Sequence, residues 1–349
     1  MRRLFNFVIA AALCSAACGA GVQESALHFQ FDYSMAKVIS QAVGSRSIDG
    51  ATAAAICGQP DVSAMMRNMQ LQDCAALLRH LRKLADKPAM VQTASLVSSE
   101  LSQPNGGRYG RLEADVALQA QPYVPVQFRA DIKVHFIFGG YSNGFSYDDR
   151  PDDIYVDLAF FADATIEELA ETVTHEVFHA VQNHVMKTDV LPVESAVADQ
   201  SGRLWLNHLL RNLEQEGTAE IFTHPLALRP ATSFSAKRRE AIQHNAAHID
   251  KLMTLLETIG WRMLYVPPAD ENEYDRVAGI MFYREFDETA YDVGWLMAST
   301  IAKRDGNMAI FALLKEDPKQ FLLRYQAIAA ADGKLPKFST AFVERVKAL

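Results

Sequence analysis

Cysteine, positive charge and long apolar runs are all scarce in this chain. It has four cysteines in 349 residues, and Cys57 and Cys74, the two away from the N-terminus, lack the spacing of zinc ligands. A cysteine-held metal is therefore excluded. Lysine and arginine number 34 against 42 acids, a net charge of −8, which argues against nucleic acid or an anionic membrane surface as a partner. The conspicuous apolar stretch, Leu4 to Ala17, is too short to span a bilayer. Internal repeats and low-complexity segments are absent.

What is present at the N-terminus is an address. Met1-Arg2-Arg3 precedes the apolar stretch and small residues follow it, the three parts of a signal peptide. Residues 1–20 are read as that signal, cleaved after Ala17 or Ala20, and the protein is expected to be exported, periplasmic or secreted. Ser15-Ala16-Ala17-Cys18 also resembles a bacterial lipobox, in which Cys18 would carry a lipid anchor. Serine stands where leucine is expected, which favours plain export. Loss of Arg2 and Arg3, with no acid before Glu24, moves the net charge from −8 to −10. Cys57 and Cys74 then make an even pair in an oxidising compartment, and a disulfide between them is expected. Residues 21–107 read as short helices rich in Ala, Leu, Met and Ser, ending at the turn Gln103-Pro104-Asn105-Gly106-Gly107. Residues 108–349 read as the domain that carries chemistry, strands first and helices after.

The strongest signal is His175-Glu176-Val177-Phe178-His179. Side chains at i and i+4 lie one above the other on a helix, so both imidazoles can reach one ion, with the glutamate beside them. The local setting supports a helix. Thr165-Ile166-Glu167-Glu168 has the form of a capping box, and Ile166, Leu169, Ala170, Val173, Val177, Ala180 and Val181 make an apolar stripe at helical spacing. Thr172, His175, His179 and Gln182 fall on another face, as a metal site in a cleft requires.

A catalytic zinc takes three protein ligands and leaves a fourth position open. Continuation of the motif to a third histidine fails, because Gln182 and Val185 occupy the positions for glycine and histidine. The other common solution is an acid from the next helix. Pro192-Val193-Glu194-Ser195-Ala196-Val197-Ala198-Asp199 offers two. Glu194 is the preferred ligand if the motif helix ends near Asn183; Asp199 is better placed if it runs to Lys187, and otherwise supports a histidine from behind the ligand shell or is simply solvated.

These residues resemble the zincin metallopeptidases, specifically the gluzincins, and more closely the secreted bacterial zinc-dependent peptidases of uncharacterised function. The likeness lies in HEVFHAVQ, the E-S-x-x-A segment after it and the strands Ile132–Phe138 and Ile154–Phe161 before it. It departs from thermolysin-like enzymes in a shorter spacing between His179 and Glu194. The resemblance implies an α+β, mainly helical, zincin-like catalytic domain with a small antiparallel or mixed sheet, and one Zn2+ per chain. It also implies peptide or protein substrates cleaved by a metal-activated water, with Glu176 as general base. Asn143 and Gly144, in the segment between the strands, would offer backbone groups to an extended substrate, unless they only turn a loop. Tyr291, in a Y-x-x-G helix start, would donate to the oxyanion; Tyr283, Tyr141 and His184 are rivals for that role. The alternative from another class is a non-catalytic, exported peptide- or partner-binding protein on the same scaffold, for which an intact Glu176 has no use.

Overall fold

The computed structural model describes residues 26–147, 149–186, 198–223, 232–283 and 286–349. The proposed signal, Cys18 and Glu194 lie outside them. Strand β1 (Ala26–Asp32) is followed by helices α1 (Ser34–Gly44), α2 (Gly50–Cys57), α3 (Val62–Asn68), α4 (Cys74–Ala85), α5 (Pro88–Leu101) and α6 (Leu112–Ala120). Strands β2 (Arg129–Ile137), β3 (Gly144–Tyr147) and β4 (Arg150–Asp157) come next. Helices complete the described chain: α7 (Ile166–Val185), α8 (Ala198–Thr223), α9 (Ala236–Ala247), α10 (Ile249–Tyr265), α11 (Glu271–Phe282), α12 (Thr289–Asp305), α13 (Asn307–Leu313), α14 (Lys319–Ala331) and α15 (Thr340–Lys347). The fold is mainly helical around one small sheet, as expected. Among the described residues no helix is long and apolar enough to cross a membrane.

The sheet has the order β1-β2-β4-β3. β1 and β4 both run parallel to β2, and β3 runs antiparallel to β4 at the edge. β1 departs from the sequence reading, which expected helices there. Leu27, Phe29 and Phe31 pack against the core, the period of two that a strand imposes. Ile39, Leu81, Val134, Val173 and Met297 all belong to one buried cluster, so the core runs through both sides of the expected boundary at 107/108. Cys57 and Cys74 form a disulfide between the end of α2 and the start of α4, with Cα atoms 6.0 Å apart.

Helix α7 starts where its capping box predicts. Thr165 Oγ1 accepts from the Glu168 backbone N–H at 3.2 Å, and Glu168 Oε2 accepts from that of Thr165 at 2.7 Å. Two of the orphan donors at the helix start are thereby satisfied. The apolar stripe packs as expected, but the polar face is not open: Thr172, His175 and Gln182 are buried too. Helix α8 covers that side. α8 in turn meets α12 almost backbone to backbone, since a Cβ added at Gly217 would lie 2.4 Å from Gly294 Cα. Only glycine at both positions allows so close a crossing.

Candidate metal centre

Helix α7 presents the two imidazoles and α8 brings a carboxylate to them. His175 Nε2 and His179 Nε2 stand 3.2 Å apart. Glu216 Oε2 lies 3.6 Å from the first and 3.5 Å from the second. A tetrahedral zinc with ordinary bond lengths of about 2.0–2.2 Å holds its ligand atoms roughly 3.3–3.6 Å apart, so the three atoms fit one ion. Glu216 Oε2 is buried without a hydrogen bond, a costly arrangement for a carboxylate unless a cation sits on it. Burial alone would raise the Glu216 pKa; the two imidazoles outweigh it and hold that carboxyl well below the usual range. Burial disfavours charge on His179, yet Glu216 overrides it and the pKa rises to about 9. A site that holds a proton this firmly is suited to hold a cation.

The imidazole orientations are set from behind. Gln182 donates from Nε2 to Gln215 O and to Thr218 Oγ1, each at 2.8 Å. Its Oε1 is thereby left to accept from His179 Nδ1 at 2.7 Å, so that when a cation displaces the second proton of this ring it is the Nε2 lone pair that faces the site. His175 Nδ1 is buried without a hydrogen bond and faces Glu220 Oε1 at 3.9 Å. Glu216 and Glu220 repeat on α8 the i, i+4 spacing of the two histidines on α7, so one pair of ligands is matched by one pair of acids.

Glu176 projects toward the sheet. A Cβ added at Gly144 would fall 2.5 Å from Glu176 Oε1, so the carboxylate lies directly against the edge strand. Its pKa is raised by burial and by Glu216, with His175 and His179 opposing, the direction that suits a general base working near neutrality. The turn into β3 is held by Asp157, whose carboxylate accepts from Gly139 N at 3.0 Å and Gly140 N at 2.5 Å. Asp157 N donates to Asn143 O at 2.9 Å. That carbonyl is thus spent inside the sheet, and the antiparallel alternation turns the peptide groups of Gly144 to the edge left unpaired among the described residues. There the Gly144 N–H donates to Asn143 Oδ1 at 3.1 Å and its carbonyl faces outward.

Tyr291 lies on α12 one turn before Gly294, beside the crossing with α8. Burial raises its pKa well above the ordinary value, and Glu216, Glu288, Glu220 and Glu176 add to the rise; the phenol keeps its proton. The rivals have other partners. His184 is hydrogen-bonded to Asp152. Tyr141 is 61% exposed with its ring edge-on to His80, and Tyr283 packs over Gly279. Asp199 falls in the first turn of α8. A second group of potential ligands, Asp32, Asp61 and His135, is an ion-paired histidine: His135 Nδ1 meets Asp61 at 2.9 Å and Nε2 meets Asp153 at 3.4 Å.

Residues 112–334 match the family model described as "Putative zinc dependent peptidase (DUF5700)". The chain belongs to that family. No curated protein and no solved structure matches it. The DUF5700 match takes in His175, Glu176, His179, Glu216 and Tyr291, and it leaves β1 and α1–α5 outside. Of the residues expected from sequence, the structure brings together His175, Glu176, His179 and Gly144, with Tyr291 electrostatically close. Glu216, which sequence reasoning missed, supplies the third donor among the described residues. Its only sequence signal is Glu216-Gly217-Thr218-Ala219-Glu220, two acids at helical spacing around small residues.

Proposed function

We propose that this chain is an exported zinc metallopeptidase of gluzincin type, with His175, His179 and Glu216 as metal ligands. The observation that carries the reading is the convergence of two Nε2 atoms and one buried carboxylate oxygen within one ion's span, with Glu176 against an open strand edge. Zinc, when bound there, supplies Lewis acidity toward water and a scissile carbonyl. Glu176 accepts the proton of the attacking water at its carboxylate and returns it to the leaving amine nitrogen. The β3 edge lines up an extended peptide through the outward carbonyl of Gly144, and through its N–H where a substrate carbonyl displaces Asn143 Oδ1. The Tyr291 hydroxyl donates to the developing oxyanion. Export is supported by the N-terminal pattern of basic, apolar and small residues and by the Cys57–Cys74 disulfide, a bond at home in oxidising compartments.

The test is metal content and peptide cleavage of the purified protein beside single variants. The wild type should hold about one zinc per chain, one ion on the three ligands His175, His179 and Glu216. Glu216→Gln should lose it, while Glu194→Ala and Asp199→Ala should keep it. Glu176→Gln should keep zinc but lose about 10²–10⁴-fold in kcat, the usual worth of a general base. Zinc lost with Glu194→Ala and retained by Glu216→Gln would move the third ligand; a wild type without zinc would end the proposal.

A further inference from the structure

Arg238, on α9, is a half-buried cation among acids that the chemistry above does not use. Its Nη2 lies 3.4 Å from Glu220 Oε2 and 3.5 Å from Asp292 Oδ1, and its Nη1 lies 3.6 Å from Glu288 Oε2. The three carboxylates come from two different elements. Glu220 sits on α8 and faces His175 Nδ1. Asp292 follows Tyr291 on α12, and Glu288 stands at the N-cap position of that helix without a capping hydrogen bond from its side chain. Seven residues further on the same face of α9, Asn245 Nδ2 donates to Asp292 Oδ2 at 2.5 Å and to Asp287 O at 2.9 Å. Asp287 and Glu288 both adopt left-handed backbone, at φ 62° and 50°, a strained pair that persists only where its surroundings hold it. One face of α9 therefore braces two things at once: the carboxylate behind a metal-ligand histidine, and the start of the helix that carries Tyr291.

We propose that Arg238 is a positioning residue that couples the metal site to the Tyr291 helix. The inference rests on the proposed role of His175 as a zinc ligand. With Arg238 in place, Glu220 is held facing His175 Nδ1 at 3.9 Å, where its charge favours the N–H at Nδ1 and leaves Nε2 to the site. The same guanidinium, through Asp292 and Glu288, keeps the α12 N-terminus against that carboxylate. Ordering of the metal-ligand shell and ordering of the first turn of α12 are then one event. A lysine has a point charge in place of a planar fork and cannot serve the acids together in this geometry.

The experiment uses the full-length protein and its Arg238→Gln and Arg238→Lys variants, with folding checked by circular dichroism. Zinc affinity is measured by competition with a chromophoric chelator, and hydrogen exchange across residues 289–294 is followed with and without zinc. Arg238→Gln is expected to weaken zinc binding by about 10–100-fold, as loss of outer-shell support commonly does, with Arg238→Lys in between. In wild type, zinc should slow exchange at 289–294, and the substitutions should abolish that slowing. In a Glu220→Gln background, adding Arg238→Gln should cost little further zinc affinity. A merely structural arginine would lower the melting temperature in every background and leave zinc affinity unchanged. Unchanged affinity in folded Arg238→Gln, or weakened affinity with the zinc-dependent slowing intact, overturns the coupling; if Arg238→Gln does not fold, Arg238→Lys decides by the same two readouts. A wild type that binds no zinc overturns the proposed function and this inference with it, whereas zinc bound equally by wild type and variant overturns this inference alone.

Discussion

Gly144 is the residue against which Glu176 leans, and it is glycine for that reason. Its backbone needs no unusual dihedral angle, but any side chain would occupy the space of the carboxylate, with a Cβ only 2.5 Å from Glu176 Oε1 and 3.0 Å from Cγ. Gly144→Ala should therefore displace the proposed general base while leaving the proposed zinc ligands on α7 and α8 untouched. The expected outcome is a fall in kcat/KM of at least about tenfold, part of the 10²–10⁴ a general base contributes, at unchanged zinc content. Paired kinetic and metal measurements check it, and a parallel loss of zinc would show that Gly144 supports more than Glu176. At this scale the motif was legible in full, because an i, i+4 pair carries its geometry in its own spacing. Glu216 was not, because its approach depends on where α8 crosses α7, which Gly217 and Gly294 set through a third helix.

Among elements, His135 is the tie between the sheet and the helices over its outer face. It stands on β2, with Asp153 from β4 on one ring nitrogen and Asp61, just before α3, on the other. Asp61 sits at the N-cap of α3 without capping it; its carboxylate turns to the histidine. Burial works against charge on His135, but Asp61 and Asp153 outweigh it and the pKa is raised. The folded state therefore holds this proton more tightly than the unfolded chain. The resulting stability is complete below about pH 6.5, the ordinary histidine value, and is lost as pH rises through the higher folded value. Urea unfolding across that window should show a decline on the order of 1 kcal/mol, the net worth of an intramolecular hydrogen bond, and His135→Gln should flatten it. An equal decline in the variant would place the titration elsewhere. Helix α7 could be anticipated from its capping box and periodicity, and α12 from the apolar run that begins at Tyr291. β1 could not, although Leu27, Phe29 and Phe31 alternate, because a lone short alternation beside helix-forming segments does not show that its partner lies beyond six helices.

For the whole molecule, the sheet decides what can stand alone. Residues 108–349 contain every proposed site residue, yet without the first part of the chain β2 would lose its β1 partner and the core would lose Ile39, Val43, Leu77 and Leu81, all fully buried. Expressed alone, 108–349 should be insoluble or lack cooperative thermal unfolding, and co-expression with 21–107 should restore at least part of the fold. A stable, zinc-binding 108–349 would show the N-terminal part to be an accessory layer.

The pairing of Ala26 with Arg129 also orders events in time. The first strand to leave the ribosome, or to emerge from a translocation channel, has nothing to hydrogen-bond until β2 follows it. Parallel pairing at such a sequence distance is slow, because loop closure precedes any reward from contact. Through that interval Leu27, Phe29 and Phe31 present a bare hydrophobic edge. Folding of a chain built this way is paced by the arrival of β2.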